Sequence, residues 1–457
     1  MRSLNLNLIA IIGLLFVGAV FTSCAEDGNE HYVVIISIDG FPAEALWDDR
    51  VPVPTLRALA EEGAWAQAMI PSTPTVTWPN HTTLVTGVHP ARHGMVTNGL
   101  FIRSGPGEPI YREPDLDREE LSTFPTLYDI AYEAGMRTAE VNWPVTRNAN
   151  TLHDSFPDAV AEITHTTPRL RTELVELGLI KEETDAAFEL GPVARDYVWT
   201  KATTHLIRSR QPNVMLLHLL NVDGTHHGHG AKTNPGNTAL AYADTNVRLV
   251  LEALEEAGIR TQTTIMVVSD HGFMNVTERV EPNVLLRQNG LLDVDEDGNI
   301  VRARVQVVSN GGTAMVFATD PATKNDDLEL ARSLFEGAPG IARVLGPEEF
   351  EDYGMPHPSE NEHMGDLVLG ADEGHSFGNS AAGDDLVVSL DGTRGTHGYL
   401  SDVPQMETIF IASGRGIRSG MELDIVDNRS VAPTAAWLLG LTLETADGEI
   451  LESILEE

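Results

Sequence analysis

Lysine is almost missing from this 457-residue chain: Lys181, Lys201, Lys232 and Lys324 are all there are. With 30 Lys and Arg against 68 Asp and Glu, the formal net charge is −38. No basic stripe is available to follow a phosphate backbone, which argues against a DNA or RNA polymer as partner. The same balance suits solubility in a salty medium, and equally an acidic secreted protein. Cysteine occurs once, at Cys24, so no intrachain disulfide can form and that position needs another explanation. Beyond the N-terminal stretch no apolar run is long enough to cross a bilayer. Repeats and long low-complexity segments are absent too. What remains, 42% hydrophobic and 21% charged, is a globular composition able to fill a large core. Its length could hold two or three average domains, but large α/β enzymes often elaborate one sheet, and no internal boundary is visible.

The N-terminus carries Arg2, the apolar stretch LIAIIGLLFVGAVF, then TSC and the acidic AEDGNE. The stretch is short for a membrane span and ends in small residues, the pattern of an export signal. FTSC resembles a bacterial lipoprotein box in which the cysteine becomes the lipidated first residue, although Phe21 stands where Leu is usual. Residues 1–23 are therefore read as a lipoprotein-type signal peptide, 24–31 as a short acidic linker and 32–457 as a single catalytic domain. The expected location is the bacterial cell envelope, lipid-anchored through Cys24, with the body in the periplasm or at the cell surface. The alternative is a plain periplasmic or secreted product.

Three apolar runs each end in an acid. HYVVIISIDG delivers Asp39, NVMLLHLLNVDGTHHGHG delivers Asp223, and TTIMVVSDHGF delivers Asp270 with His271 beside it. Val, Ile and Leu runs bounded by Gly or polar residues read as buried parallel strands, and open parallel sheets carry their chemistry just beyond the carboxyl ends of such strands. Several such acids with clustered histidines, plus a GTHGY loop carrying His397, point to metal coordination. Further strand candidates are RTAEVNW, TAMVFAT, DLVLGA and TIFIAS; helical patterns include VPTLRALAEEGA, FPTLYDIAYEAGM, NTALAYADTNVRLVLEALEEAG and KNDDLELARSLFEG. This alternation predicts an α/β fold with a mainly parallel sheet and helices on both faces. DVDEDGNI from Asp293 imitates a calcium loop, but Arg304 stands at its twelfth position where a bidentate Glu is needed. Asp297 and Gly298 are read instead as a tight turn between short strands.

The segment PSTPTVTWPNHTTLVTGVHPARHGMVTNG is rich in hydroxyls and amides and runs into a helix. Pro79 suits the first helical turn, and Thr77 just before it suits a cap. A helix N-terminus also attracts anions, so a hydroxyl placed there could attack a bound phosphate. The residues alone leave Ser72, Thr73, Thr75 and Thr77 open.

In order along the chain, SIDGF, TPTVTWPNHTTLVTG, HGMVTN, DGTHHGHG, SDHGF and GTHGY resemble the motifs of the nucleotide pyrophosphatase/phosphodiesterase family of the alkaline phosphatase superfamily. The resemblance implies an alkaline-phosphatase-like three-layer α/β/α fold with a mainly parallel central sheet. It makes Thr77 in TWPNH the nucleophile, with Trp78 in place of the family's usual Phe. It also implies two zinc ions, one held by Asp39, Thr77, Asp270 and His271, the other by Asp223, His227 and His397. Asn98 would bond a phosphate oxygen. His226 and His229 are then loop residues, while His81, His89, His93, His363 and His375 are given to packing or capping. The implied reaction is hydrolysis of a phosphodiester or pyrophosphate bond in a small molecule or nucleotide, through a phosphothreonine. TPTVTWPNH holds no basic residue to neutralise a monoester dianion, and Trp78 could offer a nucleobase an aromatic face. Trp143, in a W-P pair that the family often shares, would line the same pocket or the core. A phosphonoacetate-type hydrolase, a phospholipid headgroup diesterase and a non-catalytic metal-binding surface lipoprotein are the alternatives.

Overall fold

Alternate residues along the apolar runs face opposite ways, and in a computed structural model of the chain both faces of those runs are buried. The structure describes residues 30–158, 163–181 and 190–456; Cys24 and the proposed signal peptide lie outside them. Eight strands form the main sheet: β1 (Tyr32–Ile38), β2 (Ala64–Ile70), β3 (Thr138–Val141), β4 (Asp154–Phe156), β5 (Val214–Leu219), β6 (Thr263–Val268), β7 (Thr408–Gly414) and β8 (Met421–Asp427). Their spatial order is β8-β2-β7-β6-β1-β5-β3-β4. All neighbours are parallel except β7, which runs antiparallel to both β6 and β2.

Val34, Ile36 and Ile38 of β1, with Met215, Leu217 and Leu219 of β5, pack into one hydrophobic cluster; Val33 and Ile35 with Val214 and Leu216 pack into another. A strand buried on both faces needs no polar alternation, hence the unbroken apolar runs. The first cluster is covered by helices Pro54–Glu62, Pro192–Arg210 and Asn234–Glu256, the second by Thr77–Thr86, Leu127–Glu133 and Val431–Leu438. The result is the three-layer α/β/α arrangement.

Two strand candidates fall elsewhere. TAMVFAT and DLVLGA form Thr313–Ala318 and Leu367–Ala371 of a separate four-stranded antiparallel sheet, backed by the helix Lys324–Phe335. Periodicity reports that a strand is buried and cannot report which sheet it joins. Leu292–Val294 and Ile300–Ala303 pair antiparallel, with Gly298 at φ +85°. Asp295 Oδ1 accepts from the backbone of Asp297 and Asn299, so the calcium-like string is a turn. The chain from His31 onward forms one compact unit. Among the described residues no helix is long and apolar enough to cross a membrane.

Candidate active site

Parallel strands β1, β5 and β6 end at the same edge of the sheet, and the acids are delivered there. Asp39 follows directly on β1, and Asp270 comes one residue, Ser269, after the end of β6. Asp223 sits a turn later, inside the helix Asn221–His229, where His227 is its i+4 neighbour on the same face. Asp39, Asp270 and His271 are wholly buried. His271 Nε2 lies 3.1 Å from Asp39 Oδ1 and 3.2 Å from Asp270 Oδ2. His227 Nε2 and His397 Nε2 approach Asp223 Oδ1 at 3.2 and 3.5 Å. The rings of His271 and His397 stack, 3.6 Å apart and 5° from parallel. Two groups have the geometry to hold an ion, Asp39/Asp270/His271 and Asp223/His271/His397. His271 therefore reaches both, where the sequence reading gives it to one alone.

The donor set fits metal ions. His227 Nδ1 donates to the Gly395 carbonyl at 3.0 Å and His397 Nδ1 to the Thr75 carbonyl at 2.9 Å. With each Nδ1 anchored as a donor, the Nε2 that faces Asp223 is the nitrogen free to give its lone pair to an ion, the usual arrangement of a metal-binding imidazole. Asp39 Oδ1, Asp223 Oδ1, Asp270 Oδ2 and His271 Nε2 are buried without a hydrogen-bond partner, and such groups are costly unless something pairs with them. Among the described residues no Lys or Arg forms an ion pair with Asp39, Asp223 or Asp270. Burial and the neighbouring Asp39 push Asp270 up to about 8. Burial, then His271, pushes His397 down to about 3, leaving it neutral. For His271, burial is outweighed by the negative charge of the neighbouring Asp270 and Asp39 carboxylates, and it rises to about 9.

Thr77 opens the helix Thr77–Thr86 rather than capping it; the N-cap is Val76, whose side chain bonds nothing. Ser72 Oγ is engaged with His89 Nδ1, Thr73 Oγ1 with Ser401 and Thr75 Oγ1 with the Tyr399 carbonyl. The Thr77 hydroxyl enters no hydrogen bond among the described residues, and Thr77 is 9% exposed. Asn98 Oδ1 accepts from the Trp78 N–H at 2.9 Å, which fixes the amide and leaves its Nδ2 as a donor beside the helix start. His81 Nδ1 donates to the Thr77 carbonyl at 2.8 Å and lies 3.6 Å from Asp270 Oδ2, so the first turn abuts the acid cluster.

Trp78 departs from its expected role. It is 5% exposed and packs with Met95, Leu100, Leu121 and Val145, so it offers no open face for a base. The bulky ring points into the hydrophobic side of the helix start, where burial outweighs exposure. Trp143 is fully buried, its ring edge against His81, and belongs to the core. His93 bonds Thr83, His363 bonds the Phe101 carbonyl and His375 pairs with Glu278, all in structural roles. His226 is buried against Phe273, and His229 is exposed on the same helix.

Two residues escape a motif reading. Asn80 Oδ1 accepts from Ser72 N while its Nδ2 donates to the carbonyls of Ser72, Pro74 and Val76, bracing the loop before Thr77. His218, in the middle of an apolar strand, bonds Asp39 Oδ2 through Nε2 at 3.0 Å and the Asn142 carbonyl through Nδ1 at 2.9 Å. Burial opposes its charge, but Asp39 prevails and raises it to about 9. The only sequence signal was one histidine among Val, Met and Leu.

With this geometry in hand, a family model described as "Type I phosphodiesterase / nucleotide pyrophosphatase" matches residues 33–400. The chain belongs to that family. It is 22% identical to mouse ectonucleotide pyrophosphatase/phosphodiesterase family member 7, over 94% of this chain and 89% of the relative. It is 23% identical to the Xenopus laevis bis(5'-adenosyl)-triphosphatase, over 96% and 86%. Murine ectonucleotide pyrophosphatase/phosphodiesterase 5 shares the fold with a TM-score of 0.69 at 20% identity, over 93% of this chain and all of that one. An inactive variant of that murine protein, in complex with AMP, aligns with a TM-score of 0.70 at 20% identity and the same coverage. Members of this family hydrolyse phosphodiester and pyrophosphate bonds.

Proposed function

We propose that this family member is an exported two-zinc hydrolase of small phosphodiesters or nucleotide pyrophosphates, working through a phosphothreonine on Thr77. The observation that carries the reading is the Thr77 hydroxyl. It alone of the four candidate hydroxyls is uncommitted, at the start of a helix whose first turn abuts the cluster of buried Asp39 and Asp270 and part-buried Asp223. Asp39, Thr77, Asp270 and His271 would hold one ion and Asp223, His227 and His397 the other. When bound, the ions supply Lewis-acid neutralisation of phosphoryl charge and favour ionisation of the hydroxyl. Thr77 Oγ1 attacks phosphorus in line; the Oγ–P bond forms as the ester or pyrophosphate oxygen departs. Water then cleaves the Oγ–P bond and restores Thr77. Asn98 Nδ2 and the positive end of the helix hold a non-bridging oxygen as negative charge builds on it.

The scarcity of basic groups at the site favours a singly charged phosphoryl group over a monoester dianion. Export with a lipid anchor on Cys24 completes the proposal. Full-length protein purified without chelator should contain two zinc per chain by elemental analysis and turn over a chromogenic phosphodiester. Higher kcat/KM for a phosphate monoester or for phosphonoacetate than for any diester would overturn the assignment. A preference for phospholipid headgroup diesters over nucleotides would move it to another substrate class.

A further inference from the structure

We infer that His218 is a positioning residue which takes one oxygen of Asp39 and thereby dedicates the other to the metal. The inference rests on the reading of Asp39 as a ligand. Ser37 of β1 and His218 of β5 are register partners, so the histidine lies across the sheet from the strand that ends at Asp39. Its Nε2 donates to Asp39 Oδ2 at 3.0 Å, while Asp39 Oδ1 is buried and unpartnered by any hydrogen bond. The two oxygens of one carboxylate are thus differentiated: one is tied to the scaffold and one faces His271 and Asp270.

The imidazole is itself held from its far side. Asn142 has φ +61°, a conformation that non-glycine side chains seldom adopt and that asparagine tolerates best. Its carbonyl accepts from His218 Nδ1 at 2.9 Å, and its Nδ2 donates to the His218 carbonyl at 3.1 Å. His81 lies against the ring, centroid to centroid 4.3 Å. A buried imidazole needs partners for both ring nitrogens, and here those partners are a backbone carbonyl on one side and the Asp39 carboxylate on the other. Anchoring partners of this kind orient ligands, and their loss typically weakens metal binding by about 10- to 100-fold.

The test separates the two ring nitrogens. His218→Gln keeps an amide nitrogen near the position of Nε2, and His218→Asn keeps one near Nδ1. Stripped full-length proteins are titrated with zinc in competition with a chromophoric chelator. The expected result is two ions in the parent, one of the two sites weakened about 10- to 100-fold in His218→Asn, and affinity close to the parent in His218→Gln. Thermal midpoints of the metal-free proteins provide the readout of a purely structural role, and the Asn and Gln variants are expected to be alike there. Unchanged zinc affinity in His218→Asn, or equal weakening in both variants, would overturn the inference. A parent that binds no zinc would overturn the two-metal reading instead.

Discussion

Replacing the hydroxyl of Thr77 removes one small group from a site whose other donors come from separate elements. Thr77→Ala is therefore expected to fold and to lose turnover of a chromogenic diester by about 10³-fold or more, with Thr77→Ser retaining part of the rate. Near-parental hydrolysis by Thr77→Ala would place the nucleophile elsewhere. A second residue makes a pH-dependent contribution. Glu140 is fully buried, its carboxylate accepting from the Trp143 N–H at 2.9 Å and from the Ser155 hydroxyl. Burial nevertheless lifts it from 4.5 to about 7. Because the folded state keeps the proton longer, stability falls as pH rises from about 4.5 to about 7 and is flat above, a loss of about 3 kcal/mol. Glu140→Gln should lack that slope in urea titrations across the window; an identical slope would remove Glu140 as its source. Asp39, Asp270 and His271 were legible in the sequence because a charge at the end of an apolar run has few explanations. His218 was not, since strand periodicity cannot say that a buried histidine points at a neighbour's carboxylate. Trp78 misled for the related reason that an aromatic beside a nucleophile can face inward or outward at the same sequence position.

At the scale of elements, a tight turn holds the candidate ligand Asp39 at the end of β1. Gly40 follows Asp39 with φ +73°, and an added Cβ there would sit 2.5 Å from the Phe273 ring. Gly40→Ala is expected to cost about 1–2 kcal/mol from backbone strain alone, plus the clash, and to reduce zinc content. Full zinc loading with an unchanged melting temperature would show that the turn can adapt. Trp78 anchors the start of its helix in the cluster with Met95 and Leu121. Trp78→Ala should therefore destabilise by about 3–5 kcal/mol and reduce kcat/KM for nucleotide and non-nucleotide diesters alike. A loss confined to nucleotides would restore the stacking role. The helices and parallel strands of the main sheet were readable from period and length. The four-stranded antiparallel sheet was not recognised as separate, because Val305–Ser309 and Thr313–Ala318 carry the same buried runs as the central strands.

Over the whole molecule, a net charge of −38 repels itself, and salt screens that repulsion within about 10 Å at 0.1 M. The melting temperature of the zinc-loaded protein is expected to rise between 10 mM and 0.5 M sodium chloride, about a fifty-fold increase in ionic strength. A flat or falling midpoint would mean that the acids are already neutralised by pairing. Cellular fractionation checks the anchor: Cys24→Ser should release the protein into the soluble fraction, and unchanged membrane association would refute lipidation at that residue.

The wide separation of the site along the chain also has a consequence in time. β2 lies between β7 and β8 in the sheet, and His397 joins a candidate ligand set that begins at Asp39, so the early strands wait for partners made near the end. Long-range pairing of this kind closes late. On the proposed ligand set, a nascent chain would lack a complete site until His397 has been synthesised and β2 has met its late partners, so a partly made chain is not expected to hydrolyse a diester.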